Sequence, residues 1–374
     1  MNWDLILAII FFIILYGTYF LFKKRFDRQG IFIMFKTKWG LKFMDRFAKK
    51  FPRLLNGFSY VGITIGYLGM VFILYTLFKG IWDMIFAPVL IPTVAPVLPG
   101  IAVAPGLPIL GFWHWIIGIL IIATIHEFSH GIYARLHKIK IKSSGFAFLG
   151  PLLAAFVEPD EKQMEKKKTK AQLSVLMAGP LSNILTGFIF LGGWILIGML
   201  LLSGMSSSGV EIHGVDNTLL INESGLIRGD IITSVNGIYV NDSFSVASAL
   251  ENVSPGDVVV LENEEESWNV ITSAREDNST MLGISLASYY EFSSGQEVGK
   301  WFLELFFWLW IISFGVGLFN LLPLGPVDGG RMFYLGMFKL TKSKKKATFW
   351  YKTVSWLVLI LILVNMMPWV LSLF

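Results

Sequence analysis

Long apolar runs dominate this chain, and six of them, Trp3–Phe22, Tyr60–Phe78, Pro108–Ala134, Leu173–Leu202, Trp301–Leu322 and Trp350–Leu373, approach or exceed the roughly 20 residues that carry a helix across a bilayer. The pattern predicts a polytopic α-helical membrane protein with about six transmembrane helices. The first run is preceded by Asp4 and followed by Lys23, Lys24 and Arg25 rather than by a small-residue cleavage site, so it is expected to stay as an anchor. Between the fourth and fifth runs the pattern changes. Short β-rich stretches, Leu219–Ile221, Asp230–Val235, Ile238–Val240, Val258–Leu261 and Trp268–Ser273, alternate with the turns Asn236-Gly237 and Pro255-Gly256-Asp257. Ser243–Asn252 between them reads as a helix, so the insert is expected to be a small α+β unit.

Within that insert, Ser224-Gly225-Leu226 followed by Gly229-Asp230-Ile231-Ile232 and Val235-Asn236-Gly237 resembles the core of a PDZ domain of the bacterial protease type. PDZ domains accept an extended peptide at a sheet edge, so the resemblance implies a peptide ligand and a role in substrate recognition or gating. The family's carboxylate-binding loop is not recognisable here.

Composition agrees with the pattern: 54% of residues are hydrophobic, 15% are charged and mean hydropathy is +0.63. A pI near 9.1 would fit a nucleic-acid partner, but the basic residues are segregated and argue for none. They cluster in Lys23–Arg53, Arg135–Lys170 and Arg331–Lys352, whereas Ser206–Lys300 carries fifteen Asp or Glu against three Lys or Arg. Lys and Arg accumulate in cytoplasmic loops. The alternation with the six runs therefore predicts a multi-pass plasma-membrane protein with cytoplasmic basic loops, both termini outside and the insert extracytoplasmic.

The absence of cysteine excludes disulfides and thiolate ligands, leaving His and carboxylates for any metal. His126-Glu127-Phe128-Ser129-His130 lies near the end of the third run, and on a helix its two imidazoles share one face. Glu127 between them can take a proton from metal-activated water. Ionisable groups in a membrane span are functional hypotheses by default.

A zinc hydrolase needs a third protein ligand. His114 is about 18 Å from His126 along a helix and His137 about 10 Å beyond His130, at ~1.5 Å per residue. His213 belongs to the insert. A distant carboxylate remains, and Asp328 in Asn320-Leu321-Leu322-Pro323-Leu324-Gly325-Pro326-Val327-Asp328-Gly329-Gly330 is the candidate. Its prolines and glycines break a helix where irregular backbone must be buried or line a watery cavity.

Together His126-Glu127-x-x-His130 and Asn320-x-x-Pro323-x-x-x-x-Asp328-Gly329 resemble the double signature of the site-2 proteases. Ala178-Gly179-Pro180-Leu181-Ser182-Asn183 is similar to a segment that family sets beside its catalytic helix. The resemblance implies an intramembrane zinc metalloprotease acting on single-span membrane proteins in the lipid bilayer. It implies Zn²⁺ on His126, His130 and Asp328, Glu127 as general base and acid, and substrate contacts at Asn320 and Asn183. Gly145–Phe156, apolar but short and interrupted, is expected to form a re-entrant β-hairpin that lends an edge to the substrate strand.

These readings divide the chain into 1–107 (N-terminal helices and basic loop), 108–205 (first part of the catalytic core), 206–290 (PDZ-like domain), 291–335 (second part of the core) and 336–374 (basic loop and last helix). Two rival readings fit parts of the same pattern. One is a membrane metalloprotease whose third ligand is a Glu from a later helix; the other is a non-enzymatic scaffold that gathers partners through its PDZ-like module.

Overall fold

Backbone N–H and C=O groups in hydrocarbon have no water to bond, so the apolar runs close their hydrogen bonds internally as helices. The computed structural model describes residues 3–23, 26–29, 32–86, 92–104, 107–149, 152–203, 207–215, 225–263, 266–274, 280–290 and 294–372. In chain order its elements begin with α1 (Trp3–Leu21), β1 (Asp27–Gln29), β2 (Phe32–Thr37), α2 (Leu41–Lys50), α3 (Pro52–Phe86) and α4 (Phe112–Leu136). Next come β3 (Ile141–Leu149), β4 (Leu152–Pro159), α5 (Glu161–Glu165) and α6 (Thr169–Ser203). The insert contributes β5 (Ser207–Val215), β6 (Ile231–Ile232), β7 (Ser234–Val235), β8 (Ile238–Tyr239), α7 (Ser243–Ala249), β9 (Val258–Glu262), β10 (Ser267–Ile271), β11 (Ser273–Ala274), β12 (Thr280–Met281) and β13 (Ile284–Tyr290). The chain closes with α8 (Ser294–Asn320), α9 (Asp328–Thr341) and α10 (Lys344–Leu371).

Among the described residues five helices, α3, α4, α6, α8 and α10, are long and apolar enough to cross a membrane. The apolar part of α1, Ile9–Leu21, is shorter than those five. The chain forms two compact units, Met1–Trp194 with Glu304–Phe374, and Ile195–Leu303. The second is wider than residues 206–290 because it takes in the ends of α6 and α8.

In the first unit, β3 and β4 pair antiparallel with Gly145 opposite Phe156. This hairpin is half of a four-stranded sheet in the order β1-β2-β3-β4, in which β4 is an end strand. The strands β1 and β2 were not expected from the sequence, where 23–53 reads only as a basic loop. Gly150 and Pro151, between the two strands, lie outside the described residues.

The core draws Met44 from α2, Met70 from α3, Tyr133 from α4, Leu176 and Met177 from α6, Leu321, and Met332 from α9. Glycines let α3 approach it: a Cβ on Gly62, Gly66 or Gly69 would strike Met177, Met332 or Leu321. Helix α10 adds Val358, Leu361 and Ile362 against Leu77 and Leu322. Its buried Asn365 donates to the Leu77 carbonyl at 3.0 Å.

In the second unit, one sheet runs β10-β9-β7-β8 and another β13-β5-β6. Asn236 (φ 49°) and Gly237 (φ 74°) both take left-handed backbone in the tight β7–β8 turn, which is why that pair stands there. Helix α7 starts in a capping box, with Asp242 accepting from the Ser245 N–H at 2.7 Å. That bond holds the Asp242 carboxyl below the ordinary carboxylate range. The expected strand Leu219–Ile221 lies outside the described residues.

The seam between α6 and α8 depends on small residues, as helix contacts in membranes commonly do. The rings of Phe314 and Phe306 occupy the space that side chains on Gly187 and Gly193 would fill. Gly187→Leu is expected to destabilise the protein by about 1–3 kcal/mol through overpacking. Gly192→Leu, at a position with open space around it, is the control and leaves stability nearly unchanged. Thermal unfolding of the detergent-solubilised variants measures both; equal loss in the two would refute the seam.

Candidate metal centre

The site is assembled from one uninterrupted helix and one broken one. Helix α4 presents His126 and His130 from successive turns. Helix α8 stops at Asn320, because Pro323 and Pro326 cannot donate to a continuing ladder, and α9 starts at Asp328. The intervening loop is held by α10: the Tyr351 hydroxyl donates to the Gly325 carbonyl at 2.9 Å and the Ser355 hydroxyl to the Pro323 carbonyl at 3.3 Å. The glycine pair after Asp328 is required by packing, since a Cβ on Gly329 or Gly330 would strike the backbone of Leu321–Leu322 or Leu324.

This folding brings three ligand atoms together. His126 Nε2 and His130 Nε2 are 3.0 Å apart, and each is 3.2 Å from Asp328 Oδ2. Ligands on a tetrahedral zinc at about 2.0–2.1 Å stand about 3.3 Å from one another, so the spacing fits that ion. Among the described residues this is the single group of His, Asp or Glu able to hold a metal. The other histidines are elsewhere: His114 is buried in the first turn of α4, His137 caps the far end of α4, and His213 lies 3.7 Å from Glu211 on β5. Burial, then the charges of Lys170 and Lys167, holds the His137 imidazole below its ordinary range.

Partners behind the ring orient each imidazole. His130 Nδ1–H donates to the Val175 carbonyl at 2.7 Å, which leaves Nε2 free to bind a metal. His126 Nδ1 faces the Asn183 amide at 3.0 Å, and Asn183 Oδ1 is buried with no hydrogen-bond partner. With Nδ2 toward the ring, His126 carries its proton on Nε2 and donates to Asp328. A half-turn of the amide exchanges its ends; Oδ1 then accepts from Nδ1–H and Nε2 becomes a ligand. Gly179 completes the fit, because a Cβ there would fall against both Nε2 atoms.

A cavity of about 250 Å³ opens onto this group. Glu127 lines it and its Oε2 accepts the Val157 N–H of β4 at 2.9 Å. Asn320 lines it too, with its Nδ2 donating back to the Val316 carbonyl at 2.9 Å. At the rim Arg331 grips Glu161 through two bonds of 3.1 and 2.6 Å.

The model of Peptidase family M50 matches residues 114–364, a stretch that contains both halves of this site. The chain belongs to peptidase family M50. It is 31% identical over 335 residues to the uncharacterized protein MJ0971 of Methanocaldococcus jannaschii, covering 87% of this chain and 82% of that one. It is also 24% identical over 235 residues to the zinc metalloprotease RasP of Shouchella clausii, covering 49% and 54%. Among solved structures, the PDZ domain of the SdrC-like protein of Listeria monocytogenes is similar at 21% identity, covering 21% of this chain and 87% of that one with a TM-score of 0.20. As an M50, or site-2, peptidase the chain is an intramembrane zinc metalloprotease, as its two motifs implied, and the scaffold reading is not favoured.

Of the residues singled out in the sequence of this M50 peptidase, His126, Glu127, His130, Asn320 and Asp328 meet at one cavity. Asn183 does not line it. Expected to touch substrate, Asn183 is instead fully buried behind His126. Val157 and Val175 act through backbone groups, which carry no signature in the sequence. The Arg331–Glu161 pair joins elements 170 residues apart and has no local signal either. Asn183→Ala is expected to weaken zinc binding by about 10–100-fold, the usual cost of losing an outer-shell partner. Asn183→Asp keeps an acceptor for His126 Nδ1–H and retains most of the affinity. Competition with a chelator measures both, and wild-type affinity in the alanine variant would remove Asn183 from this role.

Proposed function

We propose that His126, His130 and Asp328 hold the zinc, that Glu127 is the general base and then the general acid, and that the enzyme cuts the membrane-spanning segments of single-span proteins. The observation that carries this reading is the convergence of two imidazole nitrogens and one carboxylate oxygen within 3.0–3.2 Å, from residues 202 positions apart. Zinc, when bound, supplies a Lewis acid that polarises the scissile carbonyl and makes water a stronger nucleophile at neutral pH. The Val157 N–H fixes the Glu127 carboxylate beside the ligands. Glu127 takes a proton from the attacking water and delivers it to the departing amide nitrogen.

A transmembrane helix buries its own peptide hydrogen bonds, so a substrate must be unwound before attack. The edge of β4, with Val157 and Pro159 on the cavity wall, offers carbonyl acceptors to hold such a segment extended, the Val157 N–H being already given to Glu127. Asn320 is our candidate for a further contact to the substrate backbone. In this reading the β3–β4 hairpin dips into the bilayer and α1 is a sixth span.

The charge distribution supports cytoplasmic basic loops and an extracytoplasmic insert. The ligands then lie nearer the cytoplasmic face: His126 and His130 come in the last third of α4 just before Arg135, and Asp328 just before Arg331 and the lysines of 339–346. Both the entry of water and the scissile bond belong to that half. We assign residues 206–290 to a PDZ-like domain that binds a peptide and controls access, while 108–205 and 291–335 carry the chemistry. Helices within 1–107 and 336–374 flank that core.

Glu127→Gln is expected to keep its zinc while cleavage of a model transmembrane substrate falls by at least about 10²–10⁴-fold. Asp328→Ala is expected to lose zinc as well. Elemental analysis with a cleavage assay in proteoliposomes reads both, and near-normal turnover in Glu127→Gln rejects the mechanism. Mass spectrometry of the products should locate the cut in the cytoplasmic half of the substrate helix; cuts in the outer half overturn the orientation.

A further inference from the structure

Helix α2 has three faces that a soluble helix has no use for in combination. Met44 and Ala48 are buried, and Met44 fills the space beside Gly131, the residue that follows His130. Phe43, Phe47 and Phe51 form a second stripe, one turn apart, with ring centroids 5.8 and 5.0 Å from one to the next. Phe43 is half exposed, as is Trp39 just before the helix. Lys42, Arg46, Lys49 and Lys50 make the third face, and all four are exposed. From Lys36 to Arg53 the chain carries seven Lys or Arg and one acid. That acid, Asp45, is already paired with Arg135 at 3.0 Å.

An aromatic stripe between a buried face and a basic face is the arrangement of a helix lying in a membrane interface, rings in the acyl boundary and cations among headgroups. The net positive charge selects the sign of the headgroup, because a polybasic juxtamembrane segment is drawn to anionic lipid. We infer that α2 is an interfacial helix that binds anionic phospholipid headgroups and, through that binding, steadies the His126–His130 turn of α4.

The coupling is direct. The Phe128 ring, between the two histidines in sequence, is 5.2 Å from Trp39 and 6.4 Å from Phe43. It also packs on Gly40, whose positive φ (77°) and lack of a Cβ make room for it at the head of α2. Lipid that seats the basic and aromatic faces therefore seats Trp39, Gly40, Phe43 and Met44 against α4. The effect on cleavage rests on the zinc-site assignment made above; the seat of α2 in the interface does not.

The test uses the full-length protein in vesicles of phosphatidylcholine, with or without phosphatidylglycerol. Because the chain has no cysteine, a fluorophore on Phe43→Cys reports this position alone. Strong quenching by a shallow acyl-chain nitroxide and weak quenching by aqueous iodide are expected; the reverse in both vesicles overturns the proposal. Cleavage of a model substrate should rise about threefold or more with phosphatidylglycerol and lose that rise at high salt, where exposed charges are screened. The quadruple variant K42Q/R46Q/K49Q/K50Q should keep the rate seen in neutral vesicles and show no rise, and Lys49→Gln with Lys50→Gln should show a smaller one should the quadruple variant fail to fold. A rise that persists undiminished in these variants assigns the lipid effect to other lysines and overturns the proposal. Absence of cleavage in both vesicles with Phe43 still at the acyl boundary would instead count against the zinc-site reading.

Discussion

A carboxylate and two imidazoles held within about hydrogen-bond distance in an apolar interior are the constraint on which the rest of this protein turns. A buried charge without a partner costs several kcal/mol, and far more where no water can reach it. Asp328 is tolerable there when a cation held by the same two ring nitrogens lies against its Oδ2, and the rings hold their positions because Val175 and the Asn183 amide occupy their other sides. Each of these partners belongs to α6. The helix that carries none of the three groups therefore sets the orientation of two of them, and its Gly179 is bare because a Cβ there would fall against both Nε2 atoms.

The scaffold around this constraint is made from segments with little apparent chemistry. The glycines of α3 let its backbone lie against Met177, Leu321 and Met332, and its Tyr67 hydroxyl donates to the Met332 carbonyl at 2.9 Å, one turn past Asp328. No role for α3 or α10 is legible in their residues alone, yet both brace the broken segment between α8 and α9. That division of labour suits a membrane interior, where close backbone approach and satisfied carbonyls replace the hydrophobic effect as the source of helix association.

What could be read from the sequence followed from how local each signal was. His126, Glu127 and His130 stand on one helical turn, so spacing alone put them on one face. Asp328 announced itself through the prolines and glycines of a broken helix. The turn Asn236-Gly237 named its own dihedrals. By contrast β1 and β2 are short strands with basic residues among them, and their strand character depends on pairing with β3, with Phe35 opposite Phe146. β5 and β13 escaped for the same reason: their partners are each other, far apart in the chain. Asn183 was noticed for its setting beside Gly179 and Pro180, but its role depends on which direction it faces, and only packing against α4 decides that.

The loop that delivers Asp328 is tied to hydroxyls of α10, and this sets an order of events during synthesis. His126 and His130 leave the ribosome before Asp328, and the carbonyls of Pro323 and Gly325 find Ser355 and Tyr351 only when α10 has been made. A nascent chain can thus carry all three residues while the segment bearing Asp328 is still unanchored. The segment that carries Asp328 therefore reaches its final place only after α10 has been made and packed against it.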